Sequence, residues 1–134
     1  MEEEQMHHWL WETSKEQFLL ELEEKNEKSK RFGLTLTKED ARLLAKERID
    51  ELQEQQRVEF GGGILPKIID FFCDSPYIFQ SNYVDTLVRL QEIFYLYKNE
   101  SMDLCTDDEL LECMKEAFDG VCQGSLEYLE ETAL

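Results

Sequence analysis

The sequence predicts an all-α fold: a single-domain bundle of five or six helices, with polar N-terminal helices packed on a more apolar C-terminal core. Three observations lead there. Apolar residues recur at three-to-four spacing in segment after segment, and no period-2 run is long enough for a sheet. Six glycines and two prolines in 134 residues are too few turn formers for a many-stranded fold. Capping boxes, Ser or Thr followed three residues later by an acid or amide, stand ahead of several periodic segments.

Taken in order, the first helix is expected to start at Thr13-Ser14, where T-S-K-E and S-K-E-Q overlap as capping boxes before Phe18, Leu19 and Leu22. Gly33 is its expected stop. Thr37 opens a second helix, with Asp40 at the third position and Leu36 set to staple against Ala41. Its apolar positions, Ala41, Leu44, Ala45, Ile49 and Leu52, form a narrow stripe that can bury one seam. Residues 1–60 therefore read as polar amphipathic helices and 61–134 as core helices.

The stretch VEFGGGILPK at 58–67 invites comparison with a phosphate-binding loop. That loop needs a lysine followed by Ser or Thr after a strand; here Lys67 follows Pro66 and precedes Ile68. The dinucleotide-binding glycine spacing fails too, since Pro66 stands where the third glycine should be. A hinge that ends one helix and lets Pro66 enter the first turn of the next is the expected role. Ile64, Leu65, Ile68, Ile69, Phe71 and Phe72 make the following helix apolar around most of its circumference. Ser75 and Pro76 are set to restart the chain as cap and first helical residue. Residues 83–98 place Tyr83, Leu87, Leu90, Phe94 and Tyr97 at 4-3-4-3 spacing, widened by Val84, Val88 and Ile93. Thr106 and Glu109 frame a capping box before Leu110, Leu111, Met114, Ala117 and Phe118, which end at Gly120. A last short helix carries Leu126, Tyr128 and Leu129.

Charge constrains function more than motif does. The net charge is −17, and residues 61–134 hold 15 acids against Lys67, Arg89, Lys98 and Lys115. A field of this sign repels nucleic-acid phosphates and anionic membrane surfaces, so neither is an expected partner. A basic protein partner, bound in a salt-sensitive way, suits the balance. No run approaches the ~20 apolar residues of a membrane span. The acidic start MEEEQ does not resemble a secretory signal, so a cytoplasmic location is expected.

Catalytic and metal motifs are weak. Cys73, Cys105, Cys113 and Cys122 form no Cys-x-x-Cys pair and read as reduced thiols, some of them core residues. His7 and His8 are the two histidines; Glu4-x-x-His7 is one half-motif of a di-iron bundle that would need two. In the acidic stretch 99–109 no glycine stands at the sixth position, and no register puts a glutamate at the twelfth with oxygen ligands at one, three and five, as a calcium loop requires. No catalytic residue, metal or cofactor is expected. Aromatics are the remaining lead: Trp9 and Trp11 near the start, then Tyr77, Phe79, Tyr83, Phe94, Tyr95 and Tyr97 crowded together. Tyr95 and Tyr97 sit on opposite helix faces, so those left exposed would make a protein-binding patch.

The stretches EFGGGILPKIIDFFCDSPYI, NYVDTL, LQEIFYLYKNES and CTDDELLECMK resemble an uncharacterised bacterial family associated with anaerobic Gram-positive bacteria, over most of the chain from about residue 14. The resemblance implies a bacterial cytosolic protein and brings no catalytic residue with it. The expected function is a small acidic protein-interaction or regulatory module, binding a protein partner or itself. The alternative is an enzyme or ligand-binding bundle with a pocket between residues 64–74 and 83–98. The candidate interaction or pocket residues are Tyr77, Phe79, Tyr83, Tyr95, Tyr97, Asp70, Asp74 and Cys73.

Overall fold

A computed structural model describes the backbone of residues 2–59 and 61–133 and the side chains of 15–59 and 61–133. The chain forms six α-helices: α1 (Glu2–Ser29), α2 (Lys38–Gln55), α3 (Leu65–Phe72), α4 (Tyr83–Glu100), α5 (Asp107–Asp119) and α6 (Leu126–Ala133), with no strand among the described residues. The all-α expectation holds. α4 is the hub, in contact with α2, α3, α5 and α6, while α1 lies against α2 and α3.

The 4-3-4-3 pattern explains that centrality. Tyr83, Leu87, Leu90, Ile93 and Phe94 are buried, and so are Thr86, Gln91 and Tyr95, which lie off the stripe. A helix with neighbours on several sides buries more of its circumference than one seam. The polar helices do contribute to the core: Phe18 and Leu22 from α1, and Leu44 and Ala45 from α2, belong to the same buried cluster as Ile68, Ile69 and Phe72 of α3.

Thr37 and Thr106 cap as expected, each accepting from the backbone N–H three residues on, while Asp40 and Glu109 reach back to the cap. Pro66 falls in the first turn of α3. Gly33 closes a short 3-10 turn after α1 with φ 79°, a left-handed geometry that glycine adopts without steric cost.

Three boundaries differ from expectation. The glycine run does not end α2, which stops at Gln55 with Gln56 as its left-handed cap. α1 does not start at Thr13-Ser14; its backbone is helical from Glu2 onward, where three consecutive glutamates suit the positive end of the helix dipole. No helix starts at Pro76. The Ser75 hydroxyl accepts from the Tyr77 N–H at 3.2 Å and donates to Asp119 at 2.7 Å. It thereby stabilises a local turn, and the next helix waits for a 3-10 turn at Gln80–Asn82.

Candidate functional site

Two places concentrate polar chemistry. The first is a groove of about 380 Å³ between α1 and the start of α2, lined by Leu19, Leu22, Glu23 and Asn26 on one side and Leu36, Thr37, Lys38, Ala41 and Arg42 on the other. Its floor is apolar because α1 turns Leu19 and Leu22 toward the Leu36–Ala41 staple. Asn26 fixes its end: the side-chain amide accepts from the Leu36 N–H at 2.9 Å and donates to the Leu36 carbonyl at 3.3 Å. Both backbone groups of an irregular residue are thus satisfied by one side chain, which holds the loop to α1. Lys38 and Arg42 stand exposed at the rim. Lys46 follows at the same i,i+4 interval on the exposed face of α2.

The second place lies under the glycine loop. Arg48 and Glu59 form a buried ion pair, Nε to Oε1 at 2.9 Å, with side chains 5% and 12% exposed. The other carboxylate oxygen of Glu59 accepts from the Ile64 N–H at 2.9 Å and from the Tyr95 hydroxyl. Arg48 also lies 5.0 Å above the Phe18 ring. Burial, and then the adjacent Glu59 charge, push the Tyr95 hydroxyl far up from its ordinary range. One carboxylate therefore ties α2, the loop, the first turn of α3 and α4 together. The loop needs a glycine at 63 for this: its φ is 76°, and a Cβ there would fall 2.3 Å from Glu59 Oε1. Arg48, Glu59 and Tyr95 thus face one another and the Ile64 backbone, so these groups act as a structural latch.

The residues singled out from sequence face different neighbours, although the Cys73 thiol and the Tyr83 hydroxyl are close enough to interact electrostatically. Asp70 faces α1 and pairs with Lys25 at 2.7 Å and Lys28 at 3.2 Å. Asp74 faces α5 and pairs with Lys115 at 3.0 Å. Cys73 is buried, and burial pushes its thiol up, away from the reactive thiolate. Tyr83 is buried in the core with its hydroxyl pushed up to about 12 by burial; the nearby Ser29 hydroxyl opposes that shift without a hydrogen bond of good geometry to it. Tyr97 bonds the Leu129 carbonyl of α6 at 3.1 Å. Tyr77 packs edge-on against Phe118. Of these aromatics Phe79 is the exposed one, at 58%.

The calcium-like stretch is tied down by Arg57, which bonds Asp103 at 2.8 Å and Asn99 at 2.6 Å. Among the described residues no group of three or more His, Cys, Asp or Glu is arranged to hold a metal. His7, His8, Trp9 and Trp11 lie outside the residues whose side chains are described. Among the described residues no helix is long and apolar enough to cross a membrane.

Sequence reasoning missed the groove and the latch. Two signals were present: the i,i+4 series Lys38, Arg42, Lys46 in an acidic chain, and a charged Arg48 on the apolar stripe of α2.

The fold and groove define a class: an all-α helical protein with an amphipathic inter-helix groove and a cross-linked glycine loop. The chain belongs to a family of unknown function (DUF6323), whose profile matches residues 21–134. That span contains both the Asn26–Leu36 clamp and the latch. Neither a curated protein nor a solved structure matches the chain.

Proposed function

We propose that this protein is a single-domain protein-interaction or regulatory module without catalytic activity, and that the α1–α2 groove is where a partner docks. The observation that carries this reading is the groove itself: an apolar floor, a polar rim, and an end held in place by Asn26. A pre-organised groove of this kind loses little ordering entropy on binding, and helix-in-groove docking is a common use of it. An enzyme or ligand pocket between residues 64–74 and 83–98 lacks comparable support, because Asp70, Asp74, Cys73, Tyr83 and Tyr97 face different neighbours.

Native mass spectrometry of the gently purified protein tests the reading, run alongside Leu19→Glu, a substitution at the half-buried groove wall. A second polypeptide retained by the wild type and lost from a folded variant is the expected result. A monomer carrying extra small-molecule mass, unaffected by the variant, would overturn it.

A further inference from the structure

We infer that the occupant of the α1–α2 groove is an acidic amphipathic helix of another protein, its apolar face on Leu19, Leu22, Leu36 and Ala41 and its carboxylates against Lys38 and Arg42. This inference rests on the docking reading above and adds the chemistry of the partner.

Charge placement carries it. In a chain of net charge −17 most cations are already engaged: Lys25 and Lys28 by Asp70, Arg57 by Asp103, Lys98 by Asp107, and Lys115 by Asp74 and Asp119. Lys38, Arg42 and Lys46 make no ion pair among the described residues, although acids outnumber bases more than twofold in the chain. Their i,i+4 spacing aligns them along one strip of α2, about 12 Å long at 1.5 Å rise per residue. Against them the groove lining offers one carboxylate, Glu23. A partner helix with acids at the same interval would face all three cations while its apolar stripe covered the floor.

The occupant is helical for a further reason. No strand exists among the described residues, so an extended segment finds no sheet edge to join, whereas two neighbouring helices leave a furrow that a third fits. The sign runs opposite to the long-range preference for basic partners. It is set by contact: Lys38 and Arg42 line the groove against the single lining carboxylate Glu23. Glu39 and Asp40 of the same turn lie outside that lining, and charges beyond the Debye length of about 8 Å at physiological ionic strength are screened.

The test uses the full-length, isotope-labelled protein and three synthetic amphipathic peptides with one leucine stripe, flanked by glutamates, lysines or glutamines. Amide shifts at Leu19, Leu22, Asn26, Leu36 and Ala41 report groove binding. The glutamate peptide is expected to bind at least ten-fold more tightly than the lysine peptide, and the preference to invert in the Lys38→Glu/Arg42→Glu double variant. Both side chains are exposed, and glutamates near a helix N-terminus suit its dipole, so this variant keeps the fold. Equal binding of all three peptides in the groove would overturn the acidic partner and leave groove docking standing. An absence of shifts with every peptide would overturn both. Sedimentation equilibrium provides the remaining arm: self-association abolished by the double variant would give the groove to a second copy of the chain and overturn the inference.

Discussion

Gly63 shows how much one position can carry. Its φ of 76° disfavours any side chain, and an added Cβ would lie 2.3 Å from Glu59 Oε1 and 2.9 Å from Arg48 Nε. Gly63→Ala therefore strains the backbone and displaces a buried ion pair, where separation of the partners is expensive. A loss of about 1–3 kcal/mol in urea unfolding is expected. Gly33→Ala, with similar φ but nothing within 4 Å, should lose only about 1 kcal/mol. Equal losses would mean the latch does not depend on the loop. Glu51 gives a second test. It is 8% exposed, and burial raises its pKa above the ordinary value, partly offset by the hydrogen bond from Gln55. A group with a raised folded pKa contributes stability below its unfolded pKa and loses it as pH rises through the folded value. Glu51→Gln keeps the acceptor for Gln55 and removes the buried charge. The variant should melt higher than wild type at pH 7, with the gain shrinking toward pH 4.5. A gain that stays constant with pH would point to packing instead.

Helices and their caps were the most legible level. Thr37, Thr106, Gly33 and Pro66 act as local chemistry dictates, because caps and turns depend on residues within one turn of one another. The misplaced boundaries have the same logic in reverse. Thr13-Ser14 offers a capping box, yet the acidic segment before it continues the helix, and Ser75 uses its hydroxyl on Tyr77 and Asp119. Partners contributed by distant sequence were illegible, and the α1–α2 hairpin is the clearest case. Asn26 reads as one more polar residue in the run EEKNEKSKR, but it fixes Leu36 through both backbone groups. Asn26→Ala should cost about 1–2 kcal/mol, the worth of two modest hydrogen bonds. It should also speed hydrogen exchange at the Leu36 amide while leaving the amides of α4 unchanged. Uniform acceleration across the molecule would instead mean that the hairpin and α4 open together.

At the scale of the whole molecule, the sequence by itself determined the fold class, the all-α periodicity and the electrostatic character. A net charge of −17 repels itself in the compact state. The melting temperature should rise between about 10 mM and 150 mM NaCl, as the Debye length falls from about 30 Å to about 8 Å. A flat response would show that the paired cations already neutralise the surface locally. Composition and periodicity sufficed for these properties because each is a sum over residues or a pattern within one helix. Tertiary structure decided the rest. It set neighbours on several sides of α4, so that Tyr83 and Tyr95 joined the core, and left Phe79, in the loop before α4, exposed. It turned Asp70 and Asp74 to opposite neighbours, closed Arg48 and Glu59 into a latch, and left Lys38 and Arg42 facing a groove. Each of these depends on which helix lies beside which, a relation between residues far apart in the chain that helical periodicity does not encode.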